Sequence, residues 1–143
     1  SETGTYTVSD RVLRAVQAEF SCGFCTDAQG AQTIGKTFRE SRYLLDTHTA
    51  VACTVLDAYR SGTGDQTLTV VESTASPFKF CASVLDALGV TEHAPGTGVL
   101  GQLTAETGRP APTPLASLAG KPVRFDQVTD RGDMRAVVTE FLR

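Results

Sequence analysis

The stretch from Thr67 to Leu88 constrains the fold of this chain more than any other, because strand-like, turn and helical patterns follow one another within it. The segment that contains Leu68, Val70 and Val71 does not alternate enough between apolar and polar residues to have one face in solvent. It therefore predicts a buried strand. Pro77 suits the first turn of the helix that follows. The apolar residues of that helix recur at helical spacing: Phe78, Cys81, Val84, Leu85 and Leu88. A strand, a turn and a helix in this order place a ligand beyond the carboxyl end of the strand in an α/β sheet.

The turn between these elements, Ser73 to Ser76, carries three hydroxyl side chains and permits two interpretations. Its hydroxyls and free backbone N–H groups suit a ring nitrogen or an oxyanion of a ligand. Alternatively, Ser73 or Ser76 caps the following helix, which is the commoner use of serine at such a position. The turn alone leaves both interpretations open.

Two motifs read together give the chain a family resemblance. Tyr43–Ala52 is similar to the "LLDPHTAVA" stretch of bacterial and fungal threonine synthases, and Ser73–Phe80 is similar to their "STAxPxKF" turn at the matching distance. Gly23–Asp27 resembles the "GYCDD" motif before the preceding helix, and Gly120–Arg124 fits the closing pattern. The resemblance covers nearly the whole chain.

The resemblance implies a fold class and a reaction. The expected fold is α/β, as the C-terminal part of a tryptophan-synthase-β-like (fold type II) pyridoxal-phosphate enzyme, mostly helices with a short, incomplete sheet. Threonine synthases convert O-phosphohomoserine and water to threonine and phosphate with pyridoxal 5′-phosphate. Residues 1–143 are then expected to form a single C-terminal fragment of a longer enzyme, with a surface linker at 89–114. The missing N-terminal half is the expected partner, and the fragment alone is expected to self-associate.

The resemblance also assigns candidate site residues. The hydroxyl that meets the pyridine nitrogen of the cofactor falls on Thr74, with Ser73 as the nearest competitor, because alternation along a strand lets only one of the two face the ring. His48 and Thr49 are possible substrate-side residues, since a histidine titrates near neutrality and can handle phosphate or a proton. The alternative is a histidine at a helix start hydrogen-bonded to nearby backbone, with Asp46 and Thr49 as capping residues.

The chain is expected to hold no catalytic residue. Lys36, Lys79 and Lys121 are its only lysines, and none matches the Schiff-base lysine, which lies in the N-terminal half of the family. No Gly-rich loop opens a helix elsewhere to cradle a phosphate. We therefore expect one wall of the cofactor site, no activity in isolation, and weak or no binding of pyridoxal phosphate.

Four cysteines suggest a different class of function, a small free-standing binding or interaction module that uses the thiol pair of Cys22 and Cys25. A structural zinc site needs a second close pair, whereas Cys53 and Cys81 are far apart in sequence. A thioredoxin-type pair follows a strand, whereas these two cysteines follow a predicted helix. No metal site is therefore expected, and the thiols suit a reducing cytoplasm.

Charge and hydropathy exclude further partners. A net charge of −3 gives no basic field for nucleic acid. No apolar run approaches the roughly 20 residues of a membrane-spanning helix. We expect neither nucleic acid nor a membrane as a partner.

Apolar spacing predicts the remaining elements. A helix over residues 9–20 begins at Ser9 or Asp10, and a second begins near Asp27. Residues 49–59 are apolar nearly all round, which predicts a helix buried between layers. A short helix is predicted around residues 101–107 and a last one over 133–142. Residues 121–125 predict a short edge strand, where Pro122 is tolerated.

Overall fold

The computed structural model describes residues 4–143, and throughout that range the regular structure is helical, without a strand. The α-helices are α1 Asp10–Glu19, α2 Asp27–Ser41, α3 Thr47–Thr63, α4 Cys81–Ala87, α5 Gly98–Thr107, α6 Thr113–Ala116 and α7 Met134–Phe141. Single 3₁₀ turns occur at Pro77–Lys79, Ser117–Gly120 and Arg131–Asp133. Within this range no helix is long and apolar enough to cross a membrane.

The predicted α/β class with a short sheet is wrong for the part of the chain described. Residues 67–71 and 121–125 adopt no strand structure, and the side chains of Leu68 and Val70 are 92% and 85% exposed. A strand needs a neighbour to pair its backbone N–H and C=O groups, and two short segments do not make a sheet. The side chain of Arg60 instead fastens the first segment to the end of α3, by hydrogen bonds to the Thr67 carbonyl (3.0 Å) and the Thr69 hydroxyl (3.3 Å).

Local capping explains where the first helices begin. Ser9 accepts a hydrogen bond from the backbone N–H of Val12, so α1 begins at Asp10 as predicted. Thr26 and Gln29 form a reciprocal capping box, so α2 begins at the predicted Asp27. Because these bonds join residues three apart, a sequence specifies them without tertiary information.

Four helices, α2 to α5, surround the hydrophobic core. Its buried apolar residues are Ile34, Phe38, Leu44, Leu45, Ala50, Phe78, Cys81, Val84, Leu85 and Leu103. The predicted helix within residues 89–114 is present as α5, and it contributes the fully buried Leu103. The interpretation of residues 89–114 as a surface linker stays a prediction.

Helix α2 approaches the end of α4 closely at Gly35. A Cβ atom at this position would lie 2.6 Å from the backbone carbonyl oxygen of Ala87, closer than real Cβ contacts. Gly35 is buried inside a helix, where glycine is otherwise unfavourable. The close helix contact therefore explains why glycine occupies this position.

The exposure of α3 differs from the prediction for this helix. Only Thr49 and Ala50 of this helix are buried, whereas Val51 and Tyr59 are exposed, so burial between two layers is wrong within this chain. The helix is apolar on several faces, but α2 covers only one of them. Helices α1 and α7 bury no residue at all.

Candidate functional site

A buried carboxylate lies at the start of α3. Asp46 is 1% exposed and caps the helix, where its Oδ1 accepts the backbone N–H of His48 (2.9 Å) and of Thr49 (3.3 Å). The hydroxyl of Thr49 donates a further hydrogen bond to Oδ2. The interpretation of Asp46 as a capping residue is confirmed.

Ser73 reaches this carboxylate from a segment 27 residues further along the chain. Its Oγ lies 3.1 Å from the Thr49 hydroxyl oxygen and 3.5 Å from Asp46 Oδ2. The three residues Asp46, Thr49 and Ser73 are called the Asp46 cluster below. The sequence singled out Ser73 and Thr49 separately but gave no signal that they meet, because the contact joins distant segments.

The hydrogen bonds of the cluster set the charge of the carboxyl group. Burial alone raises the pKa of Asp46, because a charge is poorly solvated inside the protein. The bonds from the Thr49 hydroxyl, from the N–H groups of His48 and Thr49, and from the His48 side chain outweigh burial, so the pKa lies below its usual value. Asp46 is therefore ionised at neutral pH.

The ring of His48 stands at the edge of the cluster. Its Nδ1 lies 3.4 Å from Asp46 Oδ1, its centroid lies 5.1 Å from that of Phe80, and its side chain is 62% exposed. The ring is thus accessible to a ligand while one nitrogen faces a carboxylate. A substrate-side role for His48 stays a prediction.

The structure separates the three hydroxyls of the turn. Ser76 is the cap, because its Oγ accepts the backbone N–H of Phe78 (3.3 Å) at the start of the 3₁₀ turn. Ser73 belongs to the Asp46 cluster. Thr74 is exposed, and within residues 4–143 its hydroxyl forms no hydrogen bond. The assignment of Thr74 as partner of the cofactor ring nitrogen stays a prediction.

A cavity of about 570 Å³ lies between α2, α3 and α4, and its lining does not include the residues of the Asp46 cluster. Thr47 and Phe80, which flank His48, line it on one side, and Asp27 and Asp86 line it on the other. This cavity was not predictable from the sequence, because its walls come from three separate helices. It has room for a small molecule, and two neighbours of His48, Thr47 and Phe80, form part of its wall.

The four cysteines are all free thiols. Burial raises the pKa of Cys81, and burial together with the charges of Asp57 and Asp46 raises that of Cys53. Cys22 and Cys25 lie between α1 and α2, where Cys22 is exposed and Cys25 is partly buried. The described residues bring no three His, Cys, Asp or Glu side chains together in a group that could hold a metal ion.

Comparison with known proteins agrees with the sequence motifs. The family profile "Threonine synthase, C-terminal" matches residues 49–139, which is more than half of the chain and includes Ser73 and Thr74. The chain therefore belongs to the family of threonine synthase C-terminal regions. This finding confirms the resemblance to the C-terminal portion of a threonine synthase.

Relatives in mammals carry a related name. The chain is 34% identical over 82 residues to mouse "Threonine synthase-like 1", which covers 57% of this chain and 10% of the mouse protein. It is 29% identical over 87 residues to the human protein of the same name, which covers 61% of this chain and 11% of that protein. The matched region thus spans about a tenth of the length of these curated relatives.

Proposed function

We propose that this chain forms one wall of the pyridoxal-phosphate site of an enzyme that converts O-phosphohomoserine and water to threonine and phosphate. Membership of the threonine synthase C-terminal family supports the reaction class. The observation that carries the assignment to this surface is the hydroxyl of Thr74, which is exposed and forms no hydrogen bond within residues 4–143. It follows Ser73, whose hydroxyl reaches the ionised carboxylate of Asp46.

Thr74 is proposed to meet the ring nitrogen of the cofactor, which when bound serves as the electron sink of the reaction. A neutral hydroxyl does not force a proton onto that nitrogen, whereas a carboxylate in the same place favours the protonated form. The neutral partner suits elimination and replacement chemistry. The charge of Asp46 is held inside the chain by its own hydrogen bonds, so Thr74 provides the neutral contact.

The remaining parts of the site are proposed to come from a longer polypeptide. These parts are the Schiff-base lysine and the loop that holds the cofactor phosphate. Exposed apolar surface on the outer face of α3 and on residues 67–71 and 121–128 supports this, because large uncovered apolar patches mark surfaces that bind a partner. The isolated chain is expected to be inactive, and added cofactor should give no absorbance from a lysine-bound form.

Substitution of Thr74 in the full-length enzyme tests the proposal. Thr74→Val keeps the shape and removes the hydroxyl, so a hydrogen bond of about 1 kcal/mol is lost, which corresponds to about fivefold in cofactor affinity. Turnover should fall while the free energy of unfolding stays unchanged. Thr74→Ser, which keeps the hydroxyl, is the matched control, and Thr74→Asp should be worse than Thr74→Val. Full affinity and turnover in Thr74→Val would show that this hydroxyl does not serve the cofactor.

A further inference from the structure

Asp46 is remote from the turn in sequence, yet its cluster holds one end of that turn. We propose that Asp46 is a positioning residue, which fixes Ser73 and thereby leaves the hydroxyl of Thr74 as the one available to a ligand. The identity of that ligand rests on the proposed function. The positioning itself rests only on contacts within this chain.

The number of hydroxyl protons determines the arrangement of the cluster. A hydroxyl has one proton, and that of Thr49 goes to Asp46 Oδ2. The Ser73 Oγ lies 3.1 Å from the Thr49 hydroxyl oxygen as an acceptor, and it donates its own proton to Asp46 Oδ2 at 3.5 Å. The Ser73 proton is then directed into the cluster, whereas the Thr74 hydroxyl forms no hydrogen bond within residues 4–143.

Both ends of the turn are fixed to the packed part of the molecule. At one end Ser73 is tied to the start of α3 through the Asp46 cluster. At the other end Ser76 caps the 3₁₀ turn, and Phe78 lies in the core. Thr74 lies between these two attachments, so loss of the Ser73 contact should release Thr74 without unfolding the helices.

Three substitutions separate positioning from simple stability. Ser73→Ala removes the tie and leaves the α3 cap intact. Asp46→Asn keeps a good helix cap, but its amide nitrogen cannot accept the Thr49 proton. Thr54→Val is the matched control on the same helix: its hydroxyl lies 2.7 Å from that of Thr33 and donates to the Ala50 carbonyl, so it joins α2 to α3 away from the turn.

The first measurement is hydrogen exchange of the full-length protein, read for the peptide that covers residues 67–80, with and without pyridoxal phosphate. Loss of a hydrogen bond predicts about fivefold faster exchange of the turn in Ser73→Ala and Asp46→Asn. Thr54→Val should match the wild type in this peptide, and Ser73→Thr, which keeps the hydroxyl, should restore slow exchange. Unchanged exchange in both Ser73→Ala and Asp46→Asn would overturn the proposal.

The second measurement is the cofactor dissociation constant of Ser73→Ala, Thr74→Val and the double variant. If Ser73 acts by positioning Thr74, the double variant should bind the cofactor no more weakly than Thr74→Val alone. If the losses of cofactor affinity in the two single variants add up in the double variant, Ser73 does not act by positioning Thr74. Exchange of the cofactor-free protein does not depend on the proposed function, so a protein that binds no cofactor would refute that function while exchange still decides the role of Asp46.

Discussion

Helices α2 to α5 pack into a shared core, whereas the terminal helices α1 and α7, which also have an apolar face, bury no residue. Val12, Val16 and Phe20 of the α1 region recur every four residues just as core residues of α2 do, but all three are exposed. An amphipathic pattern therefore predicts that a helix forms and which face is apolar. Whether that face is buried depends on a partner, which the pattern does not specify.

The candidate site lies where the packed helices meet the exposed segment between α3 and α4. Asp46 and Thr49 belong to the packed region, whereas Thr74 follows the extended, exposed segment 67–71. The packed helices thus position the exposed segment through the hydrogen bonds of the Asp46 cluster. This arrangement suits a site that is completed by further protein, because the surface that carries Thr74 stays accessible.

The packed and exposed regions should differ most in how far the free energy of unfolding falls when an apolar side chain is removed. Leu103→Ala in the core should lower the free energy of unfolding by about 2–5 kcal/mol, because it leaves a cavity in a fully buried site. Leu68→Ala, at a 92% exposed position, should change it by less than about 0.5 kcal/mol. Denaturant unfolding of both variants measures the contrast, and equal costs would mean that the core is wrongly placed.

Replacing either of two glycines by alanine should change the free energy of unfolding, but in opposite directions. Gly35→Ala places a Cβ against the Ala87 carbonyl oxygen and should destabilise the chain by about 1–3 kcal/mol. Gly62 lies near the end of α3 with no atom within 4 Å of an added Cβ, so Gly62→Ala should stabilise by about 0.5–1 kcal/mol. Thermal melts of the pair test whether α2 and α4 touch at Gly35; two stabilised variants would argue against that contact.

Acid should weaken the packed region through Asp46. Because the pKa of Asp46 is lowered in the folded chain, the unfolded state binds more protons at acidic pH. The stabilisation is present above the usual carboxyl pKa and is lost as the pH falls through the lower folded-state pKa. Asp46→Asn should flatten this dependence, and Thr49→Val should reduce it in part. Unfolding curves measured between pH 2 and pH 7, roughly the range where carboxyl groups titrate, provide the check.

The smallest effect on unfolding should come from the exposed apolar segments, whose substitution should instead change association. Leu68→Lys and Phe125→Lys should each leave the free energy of unfolding within about 0.5 kcal/mol of wild type. Because exposed apolar patches favour association, the isolated chain should form dimers or larger oligomers, and the double variant should shift it toward monomer. Sedimentation velocity distinguishes the outcomes; a monomeric wild type at high concentration would contradict the prediction.

Local and distant interactions differ in how far a sequence reveals them. The starts of α1 and α2 and the capping role of Asp46 were predictable, because each depends on residues two or three apart. The predicted strand at Leu68 failed because its pairing partner had to come from elsewhere. The contact between Thr49 and Ser73 was not predictable for the same reason, since 24 residues separate them.

The most direct test compares hydrogen exchange of the isolated chain with that of the same residues in a longer polypeptide that carries the proposed N-terminal half. Helices α2 to α5 should be equally protected in both, because their core lies within this chain. The outer segments should exchange rapidly in isolation and become protected only in the longer polypeptide: α1, α7 and residues 67–71 and 121–128. Equal protection of these outer segments in both proteins would contradict the claim that further protein covers them.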